Sequence, residues 1–247
     1  MGLTATRLRN CFLAIATCLL LMQLSALCAQ GETPVTTCGT MITEPGHYTV
    51  ANDLLNCPAD GIDILASNVE LDLAGHQISG GDSGTGIDMF ASHVRILGPG
   101  TINGFSVGVL VNFGSKEVDV IGVTANGASV GFLARFAKVT FGGDTATGND
   151  TGFLLQPSDD CELSGNKATG NRGNGFLVSG DRNRIHMNVA RNNGASGINI
   201  STGSVDNDNV SNVALGNAAF DLSDGNATCA NKWVHNTFQT ANLPCIH

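Results

Sequence analysis

The chain has 247 residues, 21 of them acidic and 12 basic, for a formal net charge of -9. That balance argues against nucleic acid as a partner, because phosphate binding requires a basic face. The length suffices for one domain with a substantial core, and no Pro/Ser-rich linker or block of like charge divides it.

Residues 1–29 differ in character from the rest of the chain. Arg7 and Arg9 precede an uncharged apolar run from Cys11 to Met22, and small residues come after it at Ser25, Ala26, Cys28 and Ala29. This is the pattern of a secretory signal peptide cleaved near Cys28 or Ala29, and the apolar run is short for a span of about 20 residues. Leu27 sits where lipoprotein processing before Cys28 would want a small residue. A secreted or periplasmic product with no transmembrane span is expected, keeping ten basic and twenty-one acidic residues. Export places the five remaining cysteines in an oxidising compartment. Cys38 and Cys57 fall in an N-terminal cap, 30–60, and Cys229 and Cys245 in a C-terminal cap, 226–247. Their closeness in sequence suggests the pairs Cys38–Cys57 and Cys229–Cys245, one at each end, with Cys161 left over.

Between the caps, residues 61–225 repeat. Gly-led apolar phrases start at Gly61, Gly86, Gly108, Gly131, Gly152, Gly175 and Gly197, with a degenerate copy from Ala219. Each period holds a second apolar alternation, such as "NVELDL" from Asn68 and "HVRIL" from His93, and a third, weaker segment ending in phrases such as "TING" and "KATGNR". Period-two alternation with frequent Gly and Asn predicts short strands joined by sharp bends, and a fixed period predicts a solenoid. The fold class is therefore all-β, a single-stranded right-handed parallel β-helix of about 7–8 coils at roughly 22 residues each. Stacked coils align equivalent residues in columns. The first strand should point Ile62, Ile87, Val109, Phe132, Phe153, Phe176, Ile198 and Phe220 inward. Asn149, Asn171, Asn193 and Asn217 form a candidate asparagine ladder, Gly and Asn make the corners, and Cys161 joins Val69, Val94 and Val118 inside. Trp233 is expected to cover the last coil.

The phrases "GFLVSGDRNRIHMNVARNNG" and "GNKATGNRGNGF" resemble the parallel β-helix repeats of the pectin-lyase-like superfamily, particularly NosD-type periplasmic repeat proteins. The opening "CGTMITEPGHYTVANDLLNC" is similar to that of secreted repeat proteins of the same kind. The resemblance covers residues 38 to 225 and implies fold more than activity, since that superfamily holds lyases, hydrolases, epimerases, binding proteins and adhesins.

Function must then come from outward positions. On the first strand these are Asp63, Asp88, Leu110, Leu133, Leu154, Leu177, Asn199 and Asp221, and the four leucines suggest a covering segment, a homodimer or another protein partner. On the second they are Glu70, Arg95, Asp119, Thr140, Glu162, Arg184 and Asn209, whose alternating signs suggest cross-strand pairing. On the third, Thr101, Thr124, Thr145 and Lys167 with Asn103, Asn126, Thr147 and Thr169 approach the flat threonine array of an ice-binding surface. Asp63 and Asp88, one coil apart with His76, His93 and Arg95 in the same repeats, are the candidate catalytic carboxylates of a polysaccharide lyase or glycoside hydrolase. The "SDDC" at Ser158–Cys161 reads as a corner. The resemblance suggests metal, yet the six histidines are scattered without His-x-His or CxxC spacing, so no metal site and no cofactor are expected. The expected function is a binding or scaffold solenoid associated with polysaccharide, without a complete catalytic set. Scarce, mostly inward aromatics count against sugar-stacking platforms.

Overall fold

A computed structural model describes residues 31–247. The signal-peptide reading lies outside the described residues. Thr33–His247 form one unit built from parallel strands without helix, so no described helix is long and apolar enough to cross a membrane. The strands form a parallel β-solenoid with three faces. The first face is a sheet of nine strands from Thr40–Ile42 to Leu222–Asp224. The second runs from Thr33–Val35 through Gly46–Val50 to Lys232–Val234, and the third from Leu54–Cys57 to Val213–Leu215. The long strands Val94–Asn103 and Val118–Asn126 pass through the corner between second and third faces and join them into one sheet. Parallel stacking thus extends into both segments read as caps, with Gly46–Val50 on Val69–Asp72 and Lys232–Val234 on Asp208–Val210.

Burial follows from alternation. The first face points Ile62, Ile87, Val109, Phe132, Phe153, Phe176 and Ile198 into the core in register. The next member is Leu222, not Phe220, which is exposed. The last coil is longer than the sequence alignment allows, so the column is met two residues later. Phe132, Phe153 and Phe176 stack with centroids 4.7 and 4.8 Å apart, and Phe141 meets the first two edge-on. The third face opposes them with Ala125, Ala146, Ala168, Ala190 and Ala214, so large rings and small side chains fill a cross-section of constant width. Cys161 continues the buried column of Val69, Val94, Val118 and Val139, and burial pushes its thiol up to about 11.

Asparagine ladders line all three corners. Asn149, Asn171, Asn193 and Asn217 pass side-chain amide bonds up the stack, ending on Asp221. A second runs Asn166, Asn188, Asn212 and Asn236, and a third Asn183, Asn207 and Asn231. Asp144 heads the second ladder. One of its oxygens accepts the Val123 N–H at 2.8 Å and the other is unpartnered. Burial raises its carboxyl well above the ordinary range, and the protonated acid has the donor that asparagine supplies elsewhere in the column.

The leading glycines are explained by close approach and not by a left-handed backbone. A Cβ on Gly131 would meet the Gly152 carbonyl oxygen at 2.7 Å, and one on Gly152 the Gly175 oxygen at 2.5 Å. At the ends, Cys38–Cys57 and Cys229–Cys245 are disulfides with Cα–Cα distances of 5.4 and 6.1 Å. Trp233 is buried on the second face, and its indole N–H donates to the buried Asp224 at 3.1 Å.

Candidate functional site

The outward columns converge on an open groove along the corner between first and second faces. One part, about 710 Å³, is lined by His93, Arg95, Glu117, Asp119, Lys138, Thr140, Asp160, Glu162, Arg182 and Arg184 over Val118, Val139 and Cys161. A second part, about 590 Å³, shares Glu117, Lys138 and Asp160 and adds Lys116, Phe136, Pro157 and Asp159, among others. Five of the ten basic residues after residue 29, Arg95, Lys116, Lys138, Arg182 and Arg184, therefore line this one corner.

The second-face column is as expected from Glu70 to Arg184 but continues with Asp208 and Lys232. Asn209 points inward and is fully buried, correcting its outward assignment. The preceding corner position forms a neighbouring column of Asn68, His93, Glu117, Lys138, Asp160, Arg182 and Asp206. Together the two columns give each coil one sign: Glu70 negative, His93 and Arg95 basic, Glu117 and Asp119 negative, Lys138 positive. Asp160 and Glu162 follow as negative, Arg182 and Arg184 as positive, Asp206 and Asp208 as negative, and Lys232 as positive. Neighbouring coils pair across this pattern: Arg95 to Glu70 at 2.6 Å, His93 to Glu117 at 3.1 Å, Arg182 to Asp160 at 3.0 Å and Lys232 to Asp208 at 2.9 Å. The Arg182 hydrogen bond is the main influence holding the Asp160 carboxyl below its ordinary value, with Lys138 adding a smaller attraction.

The corners differ in backbone conformation, and the one between second and third faces is mixed, with Gly143 and Gly165 but also Met187, Ser211 and His235 at positive φ. Between the third and first faces the left-handed position is held by Gly104, Gly127, Gly148, Gly170, Asn192 and Gly216. At the groove corner it is held by Asn68, His93, Glu117, Asp160, Arg182 and Asp206, none of them glycine. On the intervening coil Phe136 takes it, with φ 49°, just before Lys138. A Cβ is disfavoured in that region, so these residues carry a conformational cost that glycine would avoid.

An apolar rim borders the charged wall. Phe90, Phe113 and Phe136 are exposed at the first-face end of the corner, with Phe113 and Phe136 centroids 5.7 Å apart, and Leu65 is exposed beside them. These rings are the exception to the expectation that the aromatics are mostly inward. The sequence signal was present: each of the three follows the inward pair of its strand and lies past the alternation.

The leucine column keeps its predicted register, but Leu110 is 8% and Leu133 2% exposed, and Leu154 and Leu177 are half-buried. It is therefore not a continuous exposed stripe. Asp221, assigned outward, is buried, and its oxygens accept from Asn217, Gln239 and Thr240. Asp63 and Asp88 do face outward in register on neighbouring coils. Burial pushes the Asp88 carboxyl up to about 6, opposed by the Asn112 amide, which donates to it at 2.5 Å, and assisted by Asp63 and Asp60. Burial also raises Asp63, with Asp60 adding repulsion. Their catalytic companions are not assembled: His76 is held by Asp53 at 3.0 Å and Arg95 by Glu70 on another face.

A parallel β-solenoid with a disulfide at each end fits an extracytoplasmic repeat protein, and its charged groove is open along the side surface. The chain belongs to the NosD family, described as periplasmic copper-binding protein, whose model matches residues 36–243. No curated protein matches the sequence. Among solved structures it is similar to the mannuronan C-5 epimerase AlgE6 A-module of Azotobacter vinelandii. The identity is 17% over 83% of this chain and 80% of that one, with a TM-score of 0.46. It is also similar to the AlgE4 A-module of the same organism, at 15% identity over 78% and 71%, with a TM-score of 0.32.

The family description names copper, and the side chains present do not fit it. Among the described residues no three His, Cys, Asp or Glu converge as a metal site. His47, His76, His93 and His186 each face a carboxylate, four cysteines are in disulfides, and the Cys161 thiol is buried and held protonated. Copper favours imidazole, thiolate or thioether ligands brought together, and these residues are kept apart.

Proposed function

We propose that this protein is an extracytoplasmic binding solenoid that holds an extended polysaccharide in the corner groove without performing chemistry on it. The observation that carries the reading is the amphipathic corner, with phenylalanine rings on one side of a charged wall. A sugar ring presents an apolar face and a hydroxyl-rich edge, and aromatic platforms beside fixed donors and acceptors satisfy both. Phe136 should therefore anchor the ligand. Phe136→Ala is expected to weaken binding of the retained glycan about tenfold or more, the cost of losing an aromatic anchor. Its melting temperature should stay within about 1 °C, because an exposed ring contributes little to the core. Glycan-array screening followed by titration calorimetry measures this. Retention of proteins but no glycan, or unchanged affinity in the variant, would overturn the reading.

A second reading, a polysaccharide lyase or hydrolase at Asp63 and Asp88, is favoured by one observation. A carboxyl raised to about 6 beside a second carboxylate is the division of roles that acid–base chemistry uses. Release of reducing ends or unsaturated uronates that disappears in Asp88→Asn would establish it. The same group gives a stability test that does not depend on turnover. Its folded pKa lies above the unfolded value, so the folded state binds the proton more tightly, and stability falls as pH rises from about 4 to about 6. Allowing for its partial exposure, wild type should lose roughly 1–2 kcal/mol across that window that Asp88→Asn does not lose. Urea titrations at pH 4 and pH 7 compare the two, and parallel losses would refute the shift.

A further inference from the structure

We infer that the ligand of the corner groove is an anionic polysaccharide carrying one carboxylate per disaccharide, laid along the stack so that successive carboxylates meet Arg95, Lys138 and Arg184. This deepens the binding reading above and rests on it. The basis is the alternation of sign: basic coils recur every second coil, which is about 9.6 Å at the spacing of stacked strands. An extended disaccharide is of comparable length, whereas a carboxylate on every sugar would place half of them against Glu117, Asp119, Asp160 and Glu162.

On the second face side-chain reach brings the cations nearest to a ligand, whereas in the corner column Glu117 is 71% exposed against 54% for its partner His93. Along the second face the long cations stand above the shorter acids: Arg95 is 51% exposed against 29% for its partner Glu70, and Arg184 65% against 36% for Glu162. Lys138 is exposed at the centre of the groove, lines both of its parts, and is not ion-paired within 4 Å among the described residues. It neighbours the Phe136 ring platform, which puts a ring contact and a charge contact two residues apart. Cross-strand pairing alone accounts for the second-face column, since opposite charges there favour one register of stacking. It does not account for Lys138, which lies between Glu117 and Asp160 in the corner column while those two acids pair with His93 and Arg182 instead.

The experiment titrates the protein with a hyaluronan decasaccharide, which has one carboxylate per disaccharide, a decagalacturonate, which has one per sugar, and a neutral cello-oligosaccharide. The expected order is hyaluronan tightest, by at least tenfold over the neutral chain, with affinity falling as salt rises. Lys138→Gln should lose about tenfold toward hyaluronan, and Lys167→Gln, on the third face, should lose nothing. Decagalacturonate binding as tightly as hyaluronan overturns the spacing, and a neutral chain binding as tightly overturns the charge selection. In either case sensitivity to Phe136→Ala shows that the groove reading itself stands. No binding by any of the three, or hyaluronan binding that Lys138→Gln leaves unchanged, overturns this inference, and a glycan array without a hit removes the groove reading as well.

Discussion

Replacing Phe153 by alanine is expected to destabilise the solenoid by about 4 kcal/mol, within the range for deleting a buried aromatic ring. Phe153 is the middle of three stacked rings, with Phe132 and Phe176 at 4.7 and 4.8 Å, and Phe141 packs edge-on at 6.0 Å. Its neighbours cannot close the gap, because each is fixed to its own coil by the hydrogen bonds of the first face. The opposing residues Ala146 and Ala168 are too short to fill it. The removed ring therefore leaves a cavity in addition to the lost transfer energy. Urea unfolding followed by far-UV circular dichroism measures the change, with Phe113→Ala as an exposed comparison expected within about 0.5 kcal/mol of wild type. A loss below about 1 kcal/mol for Phe153→Ala would mean that the rings are not in contact.

Asn171→Ala is expected to cost about 3 kcal/mol or more, through hydrogen bonding instead of volume. The Asn171 carbonyl oxygen accepts both the backbone N–H and the side-chain amide of Asn149, at 3.0 and 3.2 Å. Its own amide donates to the Ala146 carbonyl at 3.2 Å and to Asn193 at 2.9 Å. All of these groups are buried, so alanine strands the Asn149 donors and the Ala146 acceptor on one coil and the Asn193 acceptor on another, without admitting water to replace them. Asn171→Asp tests the direction. It keeps the acceptor and loses the donor, so it should recover part of the loss at acidic pH, where the protonated acid donates again. If alanine and aspartate are equally stable at every pH, the ladder does not contribute what its hydrogen bonds imply.

Much of the fold was legible because the repeat writes the same instruction into each stretch of about 22 residues. The inward columns from Ile62 to Ile198, the ladder from Asn149 to Asn217, the buried place of Cys161 and both disulfides follow from spacing alone. The misassignments cluster where the spacing changes. Arg184 pairs with Asp208 at an offset of 24 residues, whereas Glu162 pairs with Arg184 at 22, which moved Asn209 inside and Asp208 out. The same lengthening exchanged Phe220 for Leu222 and buried Asp221. In a strand an alternation misread by one residue reverses every face. The ladders through Asn183 and Asn188 are also written in the sequence, as asparagines recurring at 22 and 24 residues, but they lie away from the glycine-led phrases that make the repeat conspicuous.

The groove was legible only in part. Arg95, Asp119, Glu162 and Arg184 were visible as one alternating column, and Asp159 and Asp160 as a corner. That these residues share a trough with Lys138, Arg182 and Phe136 depends on how sharply the chain turns between two faces, which no period of the sequence states.

The amino-acid sequence by itself determined the stacking: a constant repeat length fixes which residues lie above one another, and alternation within each strand fixes which enter the core. Only the tertiary structure decided which outward residues meet across a corner, and which apolar ones remain exposed there. Those outcomes depend on backbone angles at single residues such as Phe136 and on the reach of side chains between coils, neither of which repeats.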